Sequence, residues 1–266
     1  MRASERSPVL ALLLSAILGA ACSGAAETAF EAMDAMPGAL PSDAPWARVL
    51  VEFHRSGGLD YAGLQSKSED LESYLASLVD ARPGEAPREQ RIAFWCNVYN
   101  AVTARFVLDG YPEIESVKVA EGFFDTKTFP VAGEDLTLDE IESRARAEGD
   151  PRVHFAVVCA STSCPDLRFE PYRGADLDRQ LEEQTKAFLG DSAKGLRLQG
   201  DTLWVSSIFK WYAGDFTGGS TVVAFFSRGK VLDWILPHLP EDLAQQIRDA
   251  DPSVKYLDYD WSLNDR

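Results

Sequence analysis

Between Arg88 and Asp109 the chain has little choice but to be a helix. Ile92, Trp95, Tyr99, Val102 and Phe106 recur at intervals of three and four residues, which draws one apolar stripe down a single helical face. Gly110 stands where a C-cap glycine belongs, and Pro112 stops any continuation.

Shorter elements surround this helix. Ala47 to Phe53 and Leu71 to Leu78 have helical spacing, with Gly57-Gly58 as a turn between them. Thr128 to Val131 and Asp135-Leu136 form a hairpin turning at Ala132-Gly133, and Thr137-Leu138-Asp139-Glu140 has the spacing of a capping box, so a helix is predicted over 138–147. Val153 to Val158 is an unbroken apolar run with β-branched residues and is expected to be a buried strand. Leu177 to Leu189 is helical; Gly195 to Val205 is a hairpin around Asp201. A helix is expected to start in Ser207 to Tyr212, Val222 to Phe226 is ambiguous, and Lys230 to Leu239 is helical up to Pro240. Helices and short strands mix without a βαβ rhythm. The expected fold is therefore α+β: one compact, helix-rich domain with a small, mostly antiparallel sheet.

The N-terminus carries different information. Arg2 and Arg6 precede an apolar run from Pro8 to Leu18 that is too short to span a bilayer, and Gly19-Ala20-Ala21 leads into Cys22. Residues 1–22 are thus expected to be a lipoprotein-type signal with Cys22 as the lipidated residue, although Leu18 lies four residues before the Cys rather than the usual three. Ordinary cleavage within Ser23 to Ala26 is the alternative. Residues 23–45, rich in Ala, Gly, Ser and Pro, read as a tether, and 46–266 as the domain. The expected location is the bacterial cell envelope, with free secretion as the lesser alternative and the membrane touched only through the N-terminal lipid. A net charge of −16 argues against nucleic acid as a partner and against docking on anionic headgroups.

Two clusters concentrate the chemistry. Asn97 and Asn100, three residues apart on the long helix, share a face with Ala93, Ala101 and Ala104. They are either structural amides or amides orienting a polar ligand. The second cluster, Val153 to Pro165, holds His154, Cys159 and Cys164. On a regular strand His154 and Cys159 face apart and lie about 16 Å from each other, which disfavours a simple dyad. Pro165 is a natural first helical residue, which sets Cys164 beside a helix N-terminus where a thiolate is stabilised. A Cys159–Cys164 disulfide is the competing expectation. Cys-x4-Cys with one nearby His lacks a second pair of ligands at zinc-site spacing, so no metal is expected, and no cofactor is implied. Lys210 and Asp215 read either as substrate-binding charges or as a surface ion pair. The aromatic run Tyr256 to Leu263 is expected to pack back onto the domain.

In order, FWCNVYNA (94–101), the turn around Phe129 to Gly133 with LTLDEIE, HFAVVCASTSCPDL (154–167), SSIFKWYAGDF (206–216) and YLDYDWSLND (256–265) resemble the domain-of-unknown-function family 547. The resemblance covers roughly residues 46–264. It implies a domain of this length, known from exported bacterial proteins, without an established activity. The family pattern falls on Asn97, Tyr99, Asn100, His154, Cys159, Cys164, Pro165, Phe209, Trp211, Tyr212, Asp215 and Asp260, while Cys96 departs from it. A helix followed by a segment opening with His also invites a distant analogy with papain- and transglutaminase-like folds, whose nucleophile would be missing here.

The functional expectation is a pocket around Asn97, Asn100, His154, Cys159 and Cys164 that binds a small molecule or an envelope protein. Tyr99, Asn100, Lys210, Tyr212 and Asp215 are its candidate binding residues. The first alternative is a thiol-dependent hydrolase or transferase with Cys164 or Cys159 as nucleophile, His154 as base and Asn97 as a polarising amide. The second is a thiol redox protein.

Overall fold

The structure is a computed structural model that describes residues 39–218 and 228–265. The leader, Cys22, most of the tether and the ambiguous run 222–226 lie outside the described residues.

The described chain opens with α1 (Ala44–Phe53), a tight hairpin of β1 (His54–Arg55) and β2 (Gly58–Leu59), then α2 (Tyr61–Ser66) and α3 (Glu69–Ser77). The hairpin turn uses Gly57 at φ +83°, and a Cβ there would strike the Asp166 side chain. The long helix α4 (Arg88–Gly110) follows. Every residue from Ile92 to Ala104 is buried, so α4 is covered all round and not along one stripe. Its Ala positions admit close neighbours, and α2, α3 and the later α5 and α6 all pack on it. Gly110 is the last helical residue, with extended Tyr111 as the cap.

A hairpin of β3 (Thr128–Val131) and β4 (Glu134–Thr137) leads into α5 (Leu138–Ala147). The capping box is complete: Glu140 N donates to Thr137 Oγ1 at 3.2 Å, and Thr137 N donates to Glu140 Oε2 at 2.8 Å. The expected strand over 153–158 is not there. Residues Pro151–Phe155 form a 3₁₀ helix, started by Pro151 at the first position and by Asp150 Oδ1, which accepts from Arg152 N at 3.0 Å. Beyond it the backbone is irregular, because the Asn100 amide takes the place of a neighbouring strand. Its Nδ2 donates to Ala156 O at 2.9 Å, and its Oδ1 accepts from Val158 N at 2.8 Å. The expected helix start at Pro165 is also absent. Residues 165–168 have no regular structure, and α6 begins only at Leu177 (Leu177–Gly190).

The C-terminal part pairs β5 (Leu196–Gln199) antiparallel with β6 (Thr202–Val205). Two short helices follow, α7 (Ile208–Trp211) and α8 (Ala213–Thr217), then α9 (Arg228–Ile235) and α10 (Glu241–Ala250). Strand β7 (Ser253–Tyr256) joins β6 in parallel, with Thr202 opposite Ser253 and Val205 opposite Tyr256. Helix α10 and strand β7 are elements that sequence spacing did not single out. The tail then runs back along 160–163: Thr162 N donates to Ser262 O at 2.8 Å and Asn264 N to Ala160 O at 2.9 Å.

The described residues thus form a helix-rich α+β fold with small sheets. Its apolar interior has two clusters. One surrounds α4 and takes in α1–α3 and α5; the other lies under the three-stranded sheet around Phe155, Phe188, Phe209 and Phe216.

Candidate functional site

A cleft of about 240 Å³ opens where these two clusters meet. Tyr99 reaches it from α4, Asp139 and Glu142 from α5, and His154 from the 3₁₀ helix. Val157, Cys159, Cys164 and Pro165 form one side; Ile208, Trp211 and Tyr212 of α7 and the segment just after it form another. Phe124 and two tail residues, Tyr259 and Trp261, complete it. Concave sites at the junction of separate packing units are where small ligands most often bind.

His154 sits at the back, with its side chain 1% exposed. Its Nε2 lies 2.8 Å from Asp215 Oδ2, and that oxygen also accepts from Arg146 Nε at 2.7 Å. The bond from His154 and the Arg146 guanidinium hold the Asp215 carboxyl well below the usual carboxylate range, against the opposing effect of burial. Asp215 is therefore ionised, and the proton of this pair is on Nε2. The other nitrogen, Nδ1, faces Glu142 Oε1 at 3.7 Å. Burial raises the Glu142 carboxyl, opposed by His154, by a hydrogen bond from Tyr212 and by Arg146. The Tyr212 ring stacks on the imidazole at 4.1 Å, with the Arg146 guanidinium 4.6 Å from the Tyr212 centroid. Asp139, one turn before Glu142, is also raised, by burial and then by Asp125.

The two cysteines are joined as a disulfide, with Cα atoms 6.3 Å apart. Ala160, at φ +63°, lets the chain turn back between them. The Tyr259 hydroxyl donates to Cys164 Sγ at 3.3 Å, and Ser161 Oγ lies 3.2 Å from Cys159 Sγ. Burial, and then Glu142, push the Tyr259 hydroxyl up to about 12. The third described cysteine, Cys96, is buried within α4, and burial raises its thiol far from any nucleophilic range.

His154, Cys159, Cys164, Tyr99 and Tyr212 therefore share one cleft. The irregular backbone turns His154 and Cys159 toward the same space, which overturns the separation expected of a strand. Without a helix at Pro165, the expected dipole beside Cys164 is also missing. Asn97 does not reach the cleft: its amide donates to Tyr172 O at 2.8 Å and accepts from Tyr172 N at 2.9 Å. Asn100 holds the wall from behind. Asp215 acts through His154, and Lys210 lies elsewhere, 5.8 Å from the Tyr256 ring. Asp139, Glu142, Arg146, Trp211, Tyr259 and Trp261 were not singled out as site residues. The acids had a signal, since the capping box fixes α5 and places residues 139, 142 and 146 at helical intervals on one face. Among the described residues no group of three or more His, Cys, Asp or Glu is placed to hold a metal ion.

The stretch that holds α4, α5, His154 and the disulfide is matched by the model of a family described as "Protein of unknown function, DUF547", over residues 83–189. This chain carries a DUF547 domain. The matched span ends before α7 and the tail, so Trp211, Tyr212, Asp215, Tyr259 and Trp261 come to the cleft from outside it, although the sequence resemblance had extended to residue 264. No curated protein and no solved structure matches the chain. The DUF547 match brings no activity with it, and any function must be argued from the cleft.

Proposed function

We propose that the cleft is a binding site for a small molecule, in a domain that does not use thiol catalysis while its disulfide is intact. One observation carries this reading. Both sulfurs are bonded to each other, and both nitrogens of His154 face carboxylates, so the cleft offers no thiol nucleophile and no imidazole nitrogen turned toward one. What it offers is a recess with aromatic walls and a few fixed polar groups, as small-molecule sites do.

The test is chemical. In the native protein, iodoacetamide is expected to leave Cys159 and Cys164 unmodified until a reductant is added. Reduction then removes the constraint of a loop whose ends are 5 residues apart in sequence. In the chain-entropy model that loses about 2 kcal/mol, or a midpoint lower by about 4–8 °C. Modification of Cys164 in untreated protein below pH 8.5 would overturn the reading.

A second reading is favoured by the shared cleft itself: after reduction, a Cys159 or Cys164 thiol and His154 line the same space. On this reading the protein is a thiol-dependent hydrolase or transferase that reduction switches on. Alkylation of the reduced protein that slows in His154→Ala supports it, and alkylation at the same rate in both removes it.

A further inference from the structure

We propose that the cleft binds an organic ammonium ion, with Asp139 and Glu142 as its counter-charges and Trp211, Tyr259 and Trp261 as its aromatic wall. This rests on the binding reading above and names the class of ligand.

Among the described residues lining the cleft there is no Lys or Arg, while two carboxylates face it. Glu142 is buried with its side chain 11% exposed, and the ring nitrogen nearest to it, His154 Nδ1, is 3.7 Å away, while the other nitrogen of that ring is bonded to Asp215 at 2.8 Å. A buried carboxylate whose hydrogen bond comes from the neutral Tyr212 hydroxyl gains from a cation that enters the cleft. An anion would meet two like charges in the lining.

Trp211 lies 4.9 Å from Tyr259, Tyr259 lies 4.6 Å from Trp261, and Trp211 lies 5.6 Å from Trp261, centroid to centroid. Three electron-rich rings in contact line the cleft, and indole is the strongest of these attractors for a cation. This chain already uses Trp261 so: the Lys118 ammonium sits 5.5 Å from its centroid. Trp211 is 46% exposed, so part of its ring is left uncovered by packing.

At about 30 Å³ per water, the cleft holds the equivalent of about eight waters, room enough for a small alkylammonium. A metal ion would need a cluster of ligands that the described residues do not supply. An alkylated ammonium instead spreads its charge over methyl groups that suit aromatic walls, and it keeps little of the hydration that a bare metal would have to shed.

The experiment uses the full oxidised protein and three probes of matched shape: choline, its uncharged carbon isostere 3,3-dimethyl-1-butanol, and the anion 3,3-dimethylbutanoate. Binding is read by tryptophan fluorescence and by the unfolding midpoint. Choline is expected to bind at least tenfold more tightly than either other probe. Glu142→Gln is expected to weaken it at least fivefold. Because Glu142 also bonds Tyr212, Asp139→Asn serves as a second variant on an exposed position, with the same expected loss. Binding of the isostere or the anion as tightly as choline overturns the ammonium proposal and leaves a binding cleft. Unchanged choline affinity in both variants also overturns it. If none of the probes binds and Cys164 alkylates in untreated protein, the proposal and the binding reading fall together.

Discussion

Asp215 and Glu142 hold the same imidazole, yet their carboxyls are displaced in opposite directions, because the bonds of Asp215 outweigh its burial and the burial of Glu142 outweighs its partners. The Asp215 carboxyl is held low by His154 and Arg146. It is ionised in the folded protein at pH values where an unfolded chain, near 3.9, would already take up a proton. Its stabilising contribution is complete above that value and is lost as pH falls through the lower folded pKa. Glu142 behaves the other way. Burial raises its carboxyl, so the unfolded chain releases a proton, from about pH 4.3 upward, before the folded protein does. Its contribution is complete below that pH and declines as pH rises through the folded value. At pH 7 Asp215→Ala should cost about 2 kcal/mol, the low end for charge-assisted bonds because the side chain is partly open to solvent, with the deficit shrinking below pH 3. Glu142→Gln should raise the midpoint at pH 7 and match the unsubstituted protein near pH 4. Thermal unfolding at pH 3, 4, 5 and 7 checks both, and a lower midpoint for Glu142→Gln at pH 7 would remove the argument that Glu142 is strained by burial. A residue that weakens the fold and strengthens ammonium binding is what a selected site, as opposed to a packing accident, would contain. Of this network, His154, Tyr212 and Asp215 could be picked from sequence because His is rare and the aromatic-acid cluster is dense. Glu142 carries only the weaker signal of its place on the capped helix, since an acid in the first turns of such a helix also has an ordinary explanation in the helix dipole.

Helix α4 acts on the cleft through one of its two buried amides and not the other. Asn97 closes a pair of bonds with Tyr172, in the loop before α6. Asn100 closes the same pair with Ala156 and Val158, which fixes the segment between His154 and Cys159. Leu at either position leaves a buried backbone N–H and C=O without partners, at about 2 kcal/mol or more. The two variants should differ in function. Asn97→Leu is expected to lower the midpoint and keep the choline response of the cleft; Asn100→Leu is expected to lose both. Equal choline affinity in the two would show that the wall does not depend on Asn100. The same contact explains why this element was misread. A β-branched run such as Val153 to Val158 normally finds its hydrogen bonds on an adjacent strand, and local pattern cannot report that a side chain from a distant helix supplies them. The capped helix α5 and the hairpin before it were legible because their determinants, Thr137 with Glu140 and the turn at Ala132-Gly133, lie within a few residues of one another.

At the scale of the molecule, the cleft is the seam between two apolar clusters, and its residues come from α4, α5, the 3₁₀ helix, α7 and the tail. No window of sequence contains it. The tail was legible as a packing segment through its aromatic content, yet its register against 160–163 depends on long-range backbone bonds such as Thr162 to Ser262. A ligand in such a seam touches both clusters, so binding and global unfolding are linked. A ligand that binds only the folded form stabilises it by RT ln(1 + [L]/Kd), about 2.7 kcal/mol at one hundred times Kd. For a chain of this size that is a midpoint raised by about 5–10 °C in choline. The increase should grow with the logarithm of choline concentration above Kd, and it should vanish in Trp211→Leu, whose ring is too exposed to be needed for folding. An increase of the same size with sodium chloride at equal ionic strength would assign the effect to screening of the −16 net charge and not to the cleft.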